Sequence, residues 1–253
     1  MRIASPGQVA FAAAMIALGI LGLARDYLPP VWDPVPKGFP AQQALIYLCV
    51  VISVGCGSGL LWRRSAAVAA RVLLVYLLLW MVLFRVPDVV AAPTVVGAWF
   101  GVSEIAVVIA ATWVLYAWFA AGWDTRYLGF ATGARGVRIA RILYGLALIH
   151  FGLAHFVYLN ETVVLVPGWL PSHVAWAHFT GGAYIAAGVA VLVGVWARLA
   201  AALAALQIAG FTALVWIPIV AAGSKDPFQW SETILSCVLT AAAWVVADSY
   251  RHD

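Results

Sequence analysis

The chain carries one long pattern twice, and this repeat limits what it can fold into. In each copy a Val-Pro pair precedes a helix rich in small residues, which ends at a Trp-x-Arg boundary. An apolar run reaching a proline follows, and a Ser-Glu pair then opens the last apolar run. The paired positions are Val35 and Val166, Trp62 and Trp196, Arg64 and Arg198, Pro87 and Pro218, and Glu104 and Glu232. The pattern predicts a duplicated unit, with repeats over residues 1–121 and 138–253 joined by a linker over 122–137.

Composition places both repeats in a membrane. The chain is 65% hydrophobic and 9% charged, which is too little polar surface to coat a water-soluble globule. Each apolar run has about 18 to 25 residues, the length that a helix needs to cross a bilayer, and strand-like alternation is absent. We therefore predict an all-α membrane protein of about eight transmembrane helices. The spans lie near residues 7–24, 42–62, 67–88, 100–120, 139–158, 174–196, 199–219 and 232–249.

The charges predict how the spans are oriented. Because each repeat crosses the bilayer an even number of times, the two four-helix repeats are parallel and not inverted. Ten arginines fall at helix ends or loops on one side: Arg2, Arg63, Arg64, Arg71, Arg126, Arg135, Arg138, Arg141, Arg198 and Arg251. The positive-inside rule places that side, the linker and both termini in the cytoplasm. The basic charge therefore describes topology and does not indicate nucleic-acid binding.

Candidate site residues cluster in the second repeat. His155 and His178 lie near the outer ends of the fifth and sixth predicted helices at matching depth, and Glu232 opens the eighth at a similar level. We expect these three to share a pocket below the outer surface and to be its catalytic groups. His173 at the rim, with Trp169 and Trp216, completes the predicted binding residues.

Two chemistries fit these groups. Imidazoles and a carboxylate bind divalent metals, with His155 and His178 as the ligands, or exchange protons and hydrogen bonds with a quinone headgroup. The alternatives without a functional site are that His155 and His173 are hydrated at the membrane interface and that His178 forms a hydrogen bond with a neighbouring helix. The Ser-Glu pairs also suit helix capping, since serine accepts from free amides and a carboxylate favours a helix start. In the repeat alignment Arg25 corresponds to His155, and Tyr47 corresponds to His178.

The second repeat resembles DoxX-like membrane proteins over most of its length, and the first resembles them more weakly. The resemblance lies in an inner arginine pair (Arg138, Arg141), Gly152 with His155 at the outer helix end, and the outer loop Val166-Pro167-Gly168-Trp169-Leu170-Pro171. A glycine-rich second helix, the Trp196 and Arg198 boundary and Pro218 continue it. The chain departs from the family by its duplication and by His155, where lysine is common.

The resemblance implies a bacterial inner-membrane protein linked to redox work, a membrane subunit of a quinone-linked oxidoreductase, with a membrane or extracytoplasmic oxidoreductase as partner. A non-catalytic scaffold subunit of a larger membrane complex is the alternative. A small-solute transporter is another, and it requires interrupted spans with polar residues at mid-depth. These readings, and the choice between quinone and metal, stay open at the level of sequence.

Overall fold

The computed structural model describes residues 5–25, 30–32, 35 and 39–252. Within these ranges there is no strand, and eight helices are long and apolar enough to cross a membrane. The predicted all-α membrane fold is confirmed. The spans are α1 Pro6–Arg25, α2 Gln42–Leu61, α3 Ala66–Ala91, α4 Val96–Phe119, α5 Gly133–Val157, α6 His173–Val193, α7 Ala197–Ala221 and α8 Pro227–Ser249.

Three helices begin earlier than the sequence predicts. Both α4 and α8 begin several residues before their Ser-Glu pairs. The predicted linker is partly helical, since a short helix spans Trp123–Tyr127 and α5 already begins at Gly133. At the start of α5, Arg135 and Arg138 interrupt the apolar run but are good helix formers, so that helix begins before its apolar stretch.

The spans form a closed ring in which each helix packs against the next in sequence, and α8 packs back against α1. In addition, α4 and α8 contact each other across the centre. These two spans bury the largest shares of their apolar windows, 67% and 61%. The fourth helix of each half is therefore an inner helix, and polar groups on its buried face lie inside the protein.

Glycine contacts show that both halves pack their first two spans in the same way. A Cβ at Gly57 would lie 2.8 Å from Ile16 Cγ1, and a Cβ at Gly188 would lie 2.8 Å from Ile149 Cγ1. Close approach of this kind is typical of small residues at membrane helix interfaces. Counting back from Gly57 and Gly188 along α2 and α6, Ser53 corresponds to Tyr184.

A second pair of glycine contacts aligns α1 with α5. Gly19 faces Val54 of α2, and Gly152 faces Ile185 of α6. Because Arg25 lies six residues after Gly19 and Tyr158 lies six residues after Gly152, Arg25 corresponds to Tyr158 and not to His155. The pairing of Arg25 with His155 in the sequence alignment is therefore wrong by one helical turn.

The third span of each half is interrupted by a π-helical segment, at Met81–Arg85 and at Thr212–Trp216. Pro87 and Pro218 each follow two residues later. Proline lacks the N–H that an α-helix needs there, and its ring clashes with the carbonyl four residues earlier. A wider turn resolves the clash and turns the preceding side chains to a new direction. Apolar run length alone predicts both spans as continuous α-helices, so the π-helical segments differ from the prediction.

Candidate functional site

A cavity of about 730 Å³ lies between the inner helices α4 and α8 and the C-terminal half of α5. We call it the central cavity. Its walls are mainly apolar and aromatic, formed in part by Phe100, Phe151, Phe211, Trp216 and Phe228. Five polar side chains that bear on function also line it: Arg85, Glu104, His155, Tyr184 and Glu232. It lies toward the end of the bundle opposite the arginine-rich loops.

The two glutamates reach the central cavity from the inner helices. Glu104 lies within α4 and Glu232 within α8, and each is partly buried. Glu104 interacts electrostatically with Glu232, which is unfavourable when both are charged, and favourably with the Arg85 guanidinium. Two carboxyl groups and one guanidinium therefore form an ionisable cluster inside a largely apolar space.

The helix-capping interpretation of the Ser-Glu pairs is wrong. The Ser103 hydroxyl donates to the Trp99 carbonyl 2.9 Å away, inside the helix. At the start of α8 the cap is Asp226, whose carboxylate accepts from the Phe228 amide at 3.0 Å. The glutamates follow one or more turns later, so they are free to act as cavity groups.

Arg85 owes its position to the π-helical segment and to a glycine. It is the last residue of Met81–Arg85, and its guanidinium lies against Gly101 of α4. A Cβ at Gly101 would collide with Arg85 Nη1. Gly101 comes one turn before Glu104, so the glycine places the guanidinium beside the carboxyl group.

The second half has a tryptophan at the position of Arg85. Trp216 is the last residue of Thr212–Trp216, and it is buried and lines the central cavity. Its ring packs against Phe211 at 6.2 Å and against Phe228 at 6.4 Å between centroids. Equivalent positions thus supply a cation on one side of the cavity and an aromatic wall on the other.

His155 is partly buried and lines the central cavity. Its Nδ1 lies 2.7 Å from the Phe151 carbonyl oxygen. Since a carbonyl only accepts, Nδ1 carries the proton, and in the neutral ring Nε2 is the acceptor. A Cβ at Gly181 would lie 2.8 Å from the His155 Cβ, so this glycine lets α6 approach α5 at the histidine. The ring centroid of Tyr184 lies 5.4 Å away.

The other three predicted site residues lie outside the central cavity. His178 is exposed on α6 and packs against Phe156, with ring centroids 5.5 Å apart. It precedes the cavity residue Tyr184 by six residues, which turns it about 120° away around the helix. Its counterpart Tyr47 is also exposed, at 51%. His173 begins α6, and Trp169 is 71% exposed in the preceding loop.

A metal centre does not fit the residues that the structure describes. Within them, no group of three or more His, Cys, Asp or Glu side chains is placed to hold a metal ion. The two imidazoles predicted as ligands are separated, because His155 faces the cavity and His178 faces outward.

Of the residues that line the central cavity, His155, Glu232 and Trp216 are predicted as site residues from the sequence, whereas Arg85, Glu104 and Tyr184 are not. The repeat itself held a signal for Glu104, because its partner Glu232 was already a candidate. Nothing in the sequence around Arg85 reveals the π-helical segment that turns it inward.

No family model, no curated protein and no solved structure matches this chain. Fold and site together describe a multi-pass, all-α membrane protein with a polar cluster in an inner cavity.

Proposed function

We propose that the protein binds a lipid-soluble quinone in the central cavity, as a redox-associated component of a bacterial inner membrane. The observation that carries this proposal is that Arg85, Glu104, His155 and Glu232 line one apolar cavity within the span of the helices. The positive-inside rule places the arginine-rich end in the cytoplasm and the cavity toward the extracytoplasmic side.

The size and walls of the cavity suit such a ligand. Small-molecule sites typically enclose about 300 to 1,000 Å³ and combine apolar walls with a few converging polar groups. The volume of about 730 Å³ lies within that range. Aromatic walls favour a planar ring, and an isoprenoid tail is apolar enough to extend into lipid.

The polar groups match both redox forms of a quinone. A quinone carbonyl accepts hydrogen bonds, and the Arg85 guanidinium offers only donors. A quinol hydroxyl donates, and the unprotonated Nε2 of His155 and the oxygens of the two carboxyl groups accept. The residues of this chain therefore supply binding and hydrogen bonding to either form.

The resemblance to DoxX-like proteins supports a redox setting. It rests on the short motifs around Arg138, His155, Pro167 and Trp196. We extend the proposal to a membrane or extracytoplasmic oxidoreductase as the partner that exchanges electrons with the quinone. Isolation of the protein from mildly solubilised membranes, with identification of co-purifying subunits, tests that extension.

Quinone binding is tested on the purified protein in lipid nanodiscs, with a short-tailed quinone as the probe. Quenching of tryptophan fluorescence reports binding, since Trp216 lines the cavity. His155→Ala is expected to weaken binding about tenfold, the cost of one lost hydrogen bond to a ligand. His178→Ala is the matched control, because that histidine lies outside the cavity, and it should retain wild-type affinity. Equal losses in both variants, or none in either, would contradict the proposed site.

A transporter for a small solute is the second candidate, because the third spans are interrupted and charged residues lie along inner helices. Both features occur at substrate sites of membrane transporters. Uptake of a labelled solute into proteoliposomes, abolished by Glu104→Gln, would favour this function over quinone binding. Saturable quinone binding without uptake favours the first proposal.

A further inference from the structure

A smaller cleft of about 200 Å³ lies beside the central cavity, between α6, α7 and the loop that follows α5. We call it the side cleft. His155, Tyr184 and Phe211 line both spaces. Thr180, Gln207 and Gly210 line the side cleft alone.

The repeat identifies what occupies the same place in the first half. Thr180 and Tyr184 correspond to Cys49 and Ser53, counted from the matched glycines Gly188 and Gly57. Along the third spans, Gln207 and Phe211 correspond to Tyr76 and Trp80, counted from the matched π-helical segments.

The two halves also join these positions in parallel ways. In the first half the Cys49 thiol and the Tyr76 hydroxyl lie 3.5 Å apart. In the second, the Gln207 amide donates to the Thr180 carbonyl at 2.9 Å. The same pair of helices is thus bridged at the same level in both halves.

The indole of Trp32 fills that place in the first half. Trp32 is 0% exposed, and its Nε1 donates to the Ser53 hydroxyl at 3.1 Å. Its ring meets Tyr76 at 5.2 Å and Trp80 at 5.4 Å, both edge to face. The residues that hold the indole are the counterparts of residues that line the side cleft.

We infer that the side cleft is a seat for a planar ring with hydrogen-bonding groups at its edge, the ring that Trp32 supplies from within the chain in the first half. This inference rests on the proposed function and names the seat of the quinone ring. Because His155, Tyr184 and Phe211 line both spaces, a ring in this seat keeps one edge and the isoprenoid tail facing the central cavity.

The size of the side cleft agrees with such a ring. An apolar cavity of about 150 Å³ is large enough to bind benzene. The side cleft has about 200 Å³ and therefore takes one ring or a compact fused pair.

The polar lining differs from the first half in a way that suits a separate ligand. Ser53 is replaced by Tyr184, and Tyr76 is replaced by Gln207, while His155 adds an imidazole. A phenol, an amide and an imidazole offer both donors and acceptors to the oxygens at a ring edge. The first half needs only one acceptor for the indole N–H.

Gly210 offers a direct way to close the side cleft. It lines the cleft, and a Cβ at this position meets no atom within 4 Å. Gly210→Trp therefore meets no clash at its Cβ, and its indole is expected to fill the seat. Gly210→Ala is the matched control, because it adds a methyl group and leaves most of the space open.

The experiment measures binding of a short-tailed naphthoquinone to the full-length protein in nanodiscs. Gly210→Trp is expected to weaken binding about tenfold or more, and Gly210→Ala to bind within about twofold of wild type. A tailless naphthoquinone should compete with the probe in wild type, because the ring alone fills the seat. If Gly210→Trp binds with wild-type affinity, the ring does not occupy the side cleft. Quinone binding in the central cavity would then still hold. If the wild-type protein binds no quinone, the proposed function is wrong, and so is the assignment of the ring to the side cleft.

A second variant tests the same prediction in case Gly210→Trp does not fold. Gly210→Cys is purified first and then modified with a benzyl methanethiosulfonate, so that the seat is closed only after folding. Wild type treated with the same reagent controls for Cys237, which is partly exposed. Loss of quinone binding only in the modified variant supports the inference, and retained binding overturns it.

Discussion

Glu104 on α4 and Glu232 on α8, each from a Ser-Glu pair of the sequence, line one cavity between the two inner helices. The Arg85 guanidinium interacts with the Glu104 carboxyl group. The equivalent position in the other half holds Trp216, so the two halves surround the carboxyl groups differently.

This asymmetry predicts an energetic coupling between Arg85 and Glu104. In a double-mutant cycle of Arg85→Gln and Glu104→Gln, we expect a coupling of about 1 to 2 kcal/mol in the free energy of unfolding. Denaturation in detergent, followed by circular dichroism, measures it. The cycle of Arg85→Gln with Glu232→Gln should give a smaller coupling. Equal values in the two cycles would contradict the assigned pairing.

Gly101 should tolerate no side chain. Because a Cβ there collides with Arg85 Nη1, Gly101→Ala is expected to lower both thermal stability and quinone affinity. Gly182→Ala is the control, since a Cβ at Gly182 meets nothing within 4 Å and alanine favours a helix. Thermal melts of the two variants in one detergent provide the comparison. A neutral Gly101→Ala would show that the guanidinium does not depend on this glycine.

Trp32 is expected to be a major source of stability for the first half. Removing a fully buried indole leaves a cavity and an unbonded Ser53 hydroxyl, so Trp32→Ala should cost about 3 to 5 kcal/mol. Trp123→Ala, at a ring that is 58% exposed, should cost far less. The fall in melting temperature reports both. Similar falls in melting temperature for Trp32→Ala and Trp123→Ala would contradict the claim that the Trp32 ring fills the position equivalent to the side cleft.

Two buried tyrosines should respond in opposite ways to loss of the hydroxyl. Tyr116 donates to the Asp124 carboxylate at 3.0 Å, so Tyr116→Phe should destabilise the protein by about 1 kcal/mol. The Tyr144 hydroxyl is buried with no hydrogen-bond partner among the described residues. Tyr144→Phe should therefore be neutral or stabilising, since it removes an unsatisfied polar group. Chemical denaturation of both variants distinguishes these signs.

The fold was largely predictable because lipid imposes a simple length rule on apolar helices. The runs around α2, α6 and α7 ended within a few residues of the observed helices. Helix ends rich in arginine, such as the start of α5, were not predictable from hydropathy, because those residues lie beyond the hydrocarbon.

The site was only partly predictable, because depth along a helix is easier to read than direction around it. His155 and His178 lie at comparable depths, yet one faces the cavity and the other faces outward. That difference depends on how α6 packs against α5 through Gly181. Arg85 turns inward only because of a π-helical segment, which the sequence does not reveal. Tyr184 is uncharged, so it is not recognisable from the sequence as a site residue. The duplication and the DoxX-like resemblance remain predictions from sequence, although matched glycine contacts agree with two equivalent halves.

Photocrosslinking tests the central claim most directly. A quinone that carries a photoreactive group on its tail is activated with the protein in a bilayer, and the labelled peptides are identified by mass spectrometry. We predict labels near Phe100, Phe151 and Phe228, which line the central cavity, and their loss when excess unlabelled quinone competes. Labels confined to outward-facing residues such as Leu203 and Leu206, and unaffected by competitor, would contradict a quinone site inside the helix ring.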